Sequence, residues 1–274
     1  SFVFDYLFLS NIFKFIFKEA EIMIIDTHTH LDDDVFDDDF DDVLAHMHSN
    51  GIEKAIIPGA DPKQLKKACK IAHSHENIFF AAGVHPYDIS NFDLNFLREF
   101  AKDPKCVAIG ECGLDYFRLK DDFNTEDEQN ANKALQKEVF SAQIDLANEL
   151  KKPLIVHVRD ANEDSFEILK KAEVSGVLHC FNASKLLLTL KDRFYFGIGG
   201  VLTFKNAKNL VKILPEIPLD KILIETDSPY LTPEPFRGTR NEPAYTKFVV
   251  KKVSEILNIP EREIEQITSD NAQR

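Results

Sequence analysis

The amino-acid sequence predicts an α/β protein that folds as a single (β/α)8 barrel of the TIM type. From residue 23 onward, short apolar runs alternate with longer amphipathic segments, and eight such pairs fill the remaining length. No hairpin turn joins one apolar run directly to the next, which indicates parallel strands linked by helices. An open doubly wound sheet is the alternative, but it would be expected to carry a glycine fingerprint after the first strand, where His28-Thr29-His30 stands instead.

The candidate strands are short apolar runs that end beside turn residues or polar side chains. They cover residues 24–27, 54–57, 78–84, 107–109, 154–158, 176–179, 194–198 and 222–225. The segments between them place apolar residues three and four positions apart, which is the spacing of an amphipathic helix. The first such segment carries Phe36, Phe40, Val43, Leu44 and Met47 on one stripe, and the segment 128–150 carries Leu135, Val139, Ile144 and Leu146.

The run of aspartates between residues 32 and 42 is interpreted as the solvated face of a helix. A calcium-binding loop of the EF-hand type would need a glycine at its sharp turn and a closing glutamate, and the run has neither. Its apolar residues keep helical spacing, and acidic side chains are favourable near a helix N-terminus. The helical interpretation is therefore preferred to a calcium site.

Residues 1–22 differ in composition from the rest and are predicted to lie outside the folded domain. The segment is rich in phenylalanine, yet Asp5, Asn11 and Lys14 interrupt it, so it matches neither a secretory signal nor a membrane span. We expect a disordered leader, or one that is not native to the protein, followed by one barrel domain over residues 23–274.

The charge balance limits the kinds of partner that the surface can hold. With a formal net charge of −13, the chain has no broad basic face for binding nucleic acid through its phosphates alone, so metal ions are expected to hold any phosphate locally. The four cysteines, Cys69, Cys106, Cys112 and Cys180, form no CxxC pair, so neither a disulfide framework nor a zinc ribbon is predicted. A cytoplasmic location fits best, and neither a membrane nor an obligate protein partner is expected.

Ligand-type side chains occupy the ends of several predicted strands, and the first of these are His28 and His30. Two histidines one residue apart on an extended strand point to the same side, so both can reach one ion. Barrel enzymes build their sites at the carboxyl ends of their strands. Further candidates at those ends are Glu111 after strand four, His157 in strand five, His179 at the end of strand six and Asp227 after strand eight. Four imidazoles and two carboxylates suit a pair of divalent cations that share a bridging carboxylate.

Each of these residues has an ordinary structural interpretation when it is taken alone. A histidine such as His157 inside an apolar strand is more often a hydrogen-bonded core side chain, and Glu111 or Asp227 could cap a following helix. Burying all six without a compensating ion would be costly, which favours a metal site over six separate explanations.

Arginine and tyrosine side chains near the same strand ends are candidates for substrate contact. Arg159, Arg237 and Arg240 could supply local positive charge for a phosphate, and Tyr116 and Tyr230 could stack on a splayed base. Exposed arginines are usually solvated or paired with a neighbour, and tyrosines in rim loops commonly pack against the protein. Both interpretations stay open.

A series of motifs runs in order from the first strand to the last loop. They are DTHTHL at 26–31, GVHP at 83–86, IGECGLDY at 109–116, LIVHVRD at 154–160, HCF at 179–181, ETDSPYL at 225–231 and RGTRNEP at 237–243. Residues 23–274 with these motifs resemble the TatD family of metal-dependent deoxyribonucleases, within the amidohydrolase-like barrel superfamily. One departure is the end of the chain, where residues 271–274 resemble the start of the family's closing helix and stop before its usual apolar end.

The resemblance implies a role for each predicted site residue. The metal ligands would be His28, His30 and Asp227 for one ion, His157 and His179 for the second, and Glu111 as the bridge between them. The two ions, Mg²⁺, Mn²⁺ or Zn²⁺, would activate a water, and Asp227 could accept its proton as general base. His85 would contact the scissile phosphate, or else be a turn histidine before Pro86. Together with Arg159, Tyr116 and Arg240, His85 makes up the predicted substrate contacts.

The activity that the resemblance implies is hydrolysis of DNA, as a 3′-5′ exonuclease on single strands bound locally at the metal site. Alternatives are a small-molecule amide, ester or phosphotriester hydrolase of the same superfamily, and removal of a D-amino acid from tRNA. Many of those hydrolases bridge their metals through a modified lysine at strand four, and Glu111 at that place favours the TatD branch. A metal-dependent interaction protein without turnover is a further alternative from another class.

Overall fold

The computed structural model describes residues 23–274, and the predicted leader at residues 1–22 lies outside the described residues. Eight strands form one sheet in which each strand is parallel to the next along the chain. They are β1 (Ile24–Asp26), β2 (Ile52–Ile57), β3 (Ile78–Ala82), β4 (Cys106–Asp115), β5 (Leu154–Arg159), β6 (Gly176–Leu178), β7 (Phe194–Ile198) and β8 (Ile222–Ile224). All eight predicted strands are confirmed, and β4 extends well beyond its predicted end.

The sheet closes on itself through contacts between the residues that follow β1 and those of β8 and its loop. Thr27 donates its backbone N–H to the carbonyl of Ile224 at 3.2 Å. Thr29 and Ser228 then form an isolated parallel bridge. The predicted (β/α)8 barrel is therefore confirmed, and the open doubly wound alternative is wrong.

Residues 23–274 form ten α-helices, eight of them between strands and two after β8. They are α1 (Phe40–Ser49), α2 (Leu65–Ser74), α3 (Leu94–Ala101), α4 (Leu119–Asp122), α5 (Glu126–Leu150), α6 (Asn162–Leu169), α7 (Lys185–Leu188), α8 (Lys208–Ile213), α9 (Thr246–Leu257) and α10 (Glu261–Gln273). In α5 the predicted apolar side chains Val139 and Ile144 are buried, whereas Leu135 is 42% exposed. None of the helices described here has the length and apolar character needed to cross a membrane.

The strand β4 continues past residue 109 because glycine lets it approach β5 closely. Its register with β5 shifts between Ile109 and Cys112, and Gly113 adopts a φ of 145°. A Cβ atom at Gly113 would overlap the carbonyl oxygen of His157, so only glycine fits this position. Glu111 consequently lies within the strand and not after its end, and it is buried.

The aspartate-rich segment forms a short 3-10 turn, Asp34–Phe36, and then the start of α1 at Phe40, so the helical interpretation is confirmed only at its C-terminal end. Residues 37–39 lie in a turn, and Asp32 is buried. Several of its carboxylates also have partners. Lys67 on α2 lies 2.8 Å from Asp34 and 2.6 Å from Asp37. The segment is thus joined to the next helix by ion pairs as well as facing solvent.

Candidate metal centre

Six side chains predicted as ligands come together at the carboxyl end of the barrel: His28, His30, Glu111, His157, His179 and Asp227. The closure of the barrel brings the first and last of them side by side, because Asp227 donates its backbone N–H to the carbonyl of His28 at 2.8 Å. His30 lies two residues after His28 and donates its backbone N–H to the carbonyl of Ser228 at 2.8 Å.

The two carboxylate oxygens of Glu111 divide the histidines into two groups. Oε2 lies 3.3 Å from Nε2 of His28 and 3.9 Å from Nε2 of His30. Oε1 lies 3.1 Å from Nδ1 of His157 and 2.9 Å from Nε2 of His179. The Glu111 side chain is 4% exposed, so its charge faces imidazoles and little water. Glu111 therefore lies between two separate sets of nitrogen donors.

Asp227 lies with the first set, and the spacing of that set fits a divalent cation. Its Oδ1 is 3.5 Å from Nε2 of His28 and 3.4 Å from Nε2 of His30. Donor atoms about 2.1 Å from a shared cation lie about 3.0 Å apart at right angles and about 3.4 Å apart at tetrahedral angles. The buried Nε2 of His28 also has no hydrogen-bond partner among the described residues, which is the state expected of a ligand atom.

The charges at this centre favour ionised carboxylates. Burial alone would raise the pKa of Glu111, but the imidazoles of His179 and His28 outweigh burial and hold that pKa well below its usual range. Burial would also raise the pKa of Asp227, but the hydrogen bond with His30 outweighs burial and lowers that pKa. Burial and the nearby His179 lower the pKa of His28, which keeps this imidazole neutral. Burial would lower the pKa values of His30, His157 and His179, but the neighbouring carboxylates outweigh burial and raise all three, that of His30 to about 9. Since imidazoles bind metals in the neutral form, a cation would displace protons from these three rings.

Asp115, which is not among the predicted site residues, contacts His157 from the side away from Glu111. Its Oδ2 accepts a hydrogen bond from Nε2 of His157 at 2.9 Å, while Nδ1 of the same ring faces Glu111. Its Oδ1 accepts from the backbone N–H of Phe117 at 2.9 Å, and its own backbone makes two hydrogen bonds of 2.9 Å to the side chain of Gln136. A carboxylate fixed in this way orients the imidazole and leaves the lone pair of Nδ1 available to a metal ion.

Glu225 occupies the corresponding place behind His179. Its Oε1 accepts from the backbone N–H of Cys180 at 2.5 Å and lies 3.6 Å from Nδ1 of His179. Glu225 is fully buried. The only signal for Asp115 and Glu225 in the sequence was their place inside two motifs, a few residues from the predicted ligands.

His85 lies at the edge of the second set, with Nε2 3.7 Å from Oε1 of Glu111. Burial lowers the pKa of His85 to about 3, which keeps the ring neutral. Nδ1 accepts the backbone N–H of Tyr87 at 3.1 Å, so the ring proton is on Nε2. His85 therefore turns an N–H donor toward the centre.

The other three predicted substrate contacts have protein partners of their own. Arg159 is exposed, and its guanidinium lies 3.7 Å from the centre of the Phe117 ring. Tyr116 donates its hydroxyl to Asp164 at 2.8 Å. Arg240 makes two contacts, of 2.9 and 2.5 Å, with one carboxylate of the aspartate-rich segment. Their assignment to substrate stays a prediction.

The chain matches known proteins over nearly all of its described length. The family model described as TatD related DNase matches residues 25–274. The chain is 41% identical over 260 residues to a Bacillus subtilis protein named uncharacterized metal-dependent hydrolase YabD, a match that covers 92% of this chain and 98% of that protein. It is 33% identical over 246 residues to a protein named 3′-5′ ssDNA/RNA exonuclease TatD from Escherichia fergusonii, which covers 85% of this chain and 90% of the relative.

A solved structure leads to the same assignment. The crystal structure of YjjV, a TatD homologue from Escherichia coli, superposes with a TM-score of 0.82 at 27% identity, over 92% of this chain and 97% of that one. The family expected from the motifs is thus confirmed by both sequence and fold. The chain belongs to the TatD-related DNase family and is a metal-dependent hydrolase.

Proposed function

We propose that this hydrolase cleaves phosphodiester bonds of DNA, as a 3′-5′ exonuclease on single strands that uses two divalent cations. The observation that carries the proposal is the position of Glu111, whose two oxygens face separate sets of nitrogen donors. A shared carboxylate lets two cations bind close together. The relative named 3′-5′ ssDNA/RNA exonuclease supports the choice of substrate and polarity.

Each cation would have ligands of its own. The first would be held by His28, His30 and Asp227, the second by His157 and His179, and Glu111 would serve both. Mixed imidazole and carboxylate donors suit Mg²⁺, Mn²⁺ or Zn²⁺. When bound, a pair of such cations would lower the pKa of a bound water and would stabilise charge on the attacking and leaving oxygens of a phosphodiester.

The side chains of the protein would then move a proton and hold the phosphate. Asp227 is ionised, so its carboxylate would accept the proton of the attacking water as general base. The Nε2–H of His85 faces the centre and would donate a hydrogen bond to a non-bridging oxygen of the scissile phosphate. The two residues therefore serve different steps, since Asp227 acts on the nucleophile and His85 on the substrate.

Single-stranded substrate would extend from the centre over exposed rings beside His85. Tyr87 is 40% exposed and Phe117 is 50% exposed. The guanidinium of Arg118 lies 4.8 Å from the centre of the Tyr87 ring, and that of Arg159 lies 3.7 Å from the centre of the Phe117 ring. We refer to these two ring and guanidinium pairs as the rim pairs. Bases stack on aromatic rings and on guanidinium planes, so each rim pair offers a surface for a nucleobase.

The rim pairs also offer an acidic protein a way to hold a polyanion. Arg98 and Arg240 contact carboxylates at 2.7 and 2.5 Å, whereas neither Arg118 nor Arg159 has an ion pair within the described part of the chain. Guanidinium groups that are not neutralised by the protein remain available to phosphate oxygens. They would supply local positive charge that a net charge of −13 does not provide over the whole surface.

The proposal is tested with 5′-end-labelled single-stranded DNA in the presence of Mg²⁺ or Mn²⁺. We expect the wild type to shorten the strand from its 3′ end, and Glu111→Gln and Asp227→Asn each to lose about 100-fold or more in rate. Glu173→Gln, which alters an exposed carboxylate, is the matched control and should keep the wild-type rate.

Three results would count against the proposal. They are an absence of metal-dependent cleavage by the wild type, cleavage that Glu111→Gln and Asp227→Asn both retain, and turnover of amide, ester or D-aminoacyl-tRNA substrates without cleavage of DNA. The last result would support one of the alternative hydrolase activities on the same metal centre.

A further inference from the structure

A second cluster of metal-ligand side chains lies at the opposite end of the barrel from the candidate metal centre. Cys69 and His73 are on α2, and Asp103 is in the loop between α3 and β4. Their ligand atoms all lie within 4.8 Å of one another. Asp103 precedes the amino end of β4, whereas Glu111 is five residues into that strand, about 16 Å further along an extended chain.

The helix α2 presents two of the three side chains together. Cys69 and His73 are four residues apart, so they lie on the same face of the helix. The adjoining face packs on the barrel through the buried residues Leu65, Ala68 and Ala72, so Cys69 lies at the border between the packed face and solvent. Cys69 is partly buried and the His73 side chain is 50% exposed, so an ion can reach both from solvent.

The loop before β4 holds Asp103 in position to complete the cluster. Its Oδ1 accepts the backbone N–H of Lys105 at 2.8 Å, and its carbonyl accepts the backbone N–H of Cys106 at 3.1 Å. Its carboxylate oxygens lie 3.0 and 2.9 Å from Nε2 of His73, and Oδ2 lies 3.8 Å from Sγ of Cys69. The carboxylate is therefore oriented toward both side chains of α2.

The separations of these atoms are close to those around a tetrahedral zinc ion. With Zn–S near 2.3 Å and Zn–N and Zn–O near 2.0–2.1 Å, sulfur and oxygen ligands lie about 3.5 Å apart, and nitrogen and oxygen ligands about 3.4 Å apart. The observed 3.8 Å and 2.9 Å differ from these values by about 0.3–0.5 Å, which small side-chain rotations can supply. We infer that Cys69, His73 and Asp103 bind a thiophilic divalent cation such as Zn²⁺ or Cd²⁺, with water as the fourth ligand.

This site differs in chemistry and in position from the candidate metal centre. The metal centre offers nitrogen and oxygen donors, whereas a thiolate selects softer ions. A cation at Cys69 and Asp103 would join α2 to the loop that leads into β4. Residues at the amino end of a barrel contribute to stability and not to catalysis, so the ion stabilises the fold without entering the reaction.

The inference is tested by titrating the full-length chain with Co²⁺ and following the thiolate-to-cobalt charge-transfer absorption in the near ultraviolet. We expect this absorption to saturate at one thiolate-bound ion per chain in the wild type and to be lost in Cys69→Ser and His73→Gln. His46→Gln is the matched control, because His46 pairs with Glu242 at 2.8 Å and is 46% exposed, but forms no metal-ligand cluster with a cysteine in residues 23–274.

A further variant separates this site from the metal centre. Cys180 follows His179 directly, so Cys180→Ser removes the thiol that lies beside the predicted ligands, and the absorption should persist in this variant. Absorption that survives in Cys69→Ser, or that is absent from the wild type, would overturn the inference. In a second readout, excess Zn²⁺ should raise the Tm of the wild type more than that of Cys69→Ser, and an equal rise in both would also overturn it.

Discussion

Glu225 and Gly197 fit closely against each other, because the Glu225 side chain crosses β7 where residue 197 has no side chain. A Cβ atom at residue 197 would lie 2.7 Å from Cδ of Glu225. In this position Glu225 accepts the backbone N–H of Cys180 at 2.5 Å and lies behind His179. Any larger residue at 197 would therefore displace the carboxylate from His179, the predicted metal ligand that follows β6.

We expect Gly197→Ala to weaken metal binding while the barrel stays folded. Displacing Glu225 removes the carboxylate that orients His179, and loss of such a partner typically costs 10- to 100-fold in metal affinity. The affinity is measured by calorimetric titration of the metal-free protein. Gly199→Ala is the matched control, since the nearest atom to a Cβ there would be 3.5 Å away, an ordinary contact. Equal affinities in the two variants would refute the role given to Glu225.

Asp115→Asn is expected to weaken one of the two proposed metal sites. The substitution keeps the shape of the side chain but removes the charge that faces Nε2 of His157 at 2.9 Å. We expect the affinity for the ion on that side to fall about 10- to 100-fold, with the ion at His28 and His30 retained. Metal content at graded free-metal concentrations distinguishes the two sites. Asp122→Asn, an exposed carboxylate on α4, serves as control, and equal loss of both ions would argue against this assignment.

The sequence was sufficient to predict the strands and the convergence of six ligand-type side chains at one end of the barrel, and insufficient to predict the carboxylates behind them. Strands follow from local hydrophobic patterns, and ligands at strand ends follow from the barrel architecture. Whether Asp115 or Glu225 faces an imidazole from behind depends on the register of neighbouring strands, which no local pattern encodes. Leu135 shows the same limit, because spacing defines the apolar side of a helix but not how far other elements cover it.

Phe117→Ala and Arg118→Gln are expected to weaken binding of DNA without affecting the metal centre. Stacking of a base on an aromatic side chain contributes about 1–3 kcal/mol, so KM for a single-stranded oligonucleotide should rise about tenfold. Hydrolysis of bis(p-nitrophenyl) phosphate, which has no bases, should be unchanged. Phe236→Ala is the control, because Phe236 is 36% exposed but stacks on Tyr245 at 4.9 Å. Equal losses on both substrates would mean that the rim pairs act on the metal centre instead.

Tyr116→Phe is expected to reduce stability and leave DNA cleavage unchanged, because the Tyr116 hydroxyl already donates to Asp164 at 2.8 Å. The loss should be about 1 kcal/mol, since Asp164 is partly exposed. Burial would raise the pKa of Asp164, but hydrogen bonds from Lys137 and Tyr116 outweigh it and lower that pKa.

A carboxyl whose pKa falls on folding stabilises the protein at pH values above its pKa in the unfolded state, which is about 3.9 for aspartate. This contribution is lost as the pH falls through the lower pKa of the folded state. The difference between wild type and Tyr116→Phe should therefore be full at pH 7 and should shrink below about pH 4. Urea unfolding at the two pH values measures it, with Tyr195→Phe as control, since the Tyr195 hydroxyl makes no hydrogen bond to the described residues. Slower DNA cleavage with unchanged stability would instead support Tyr116 as a substrate contact.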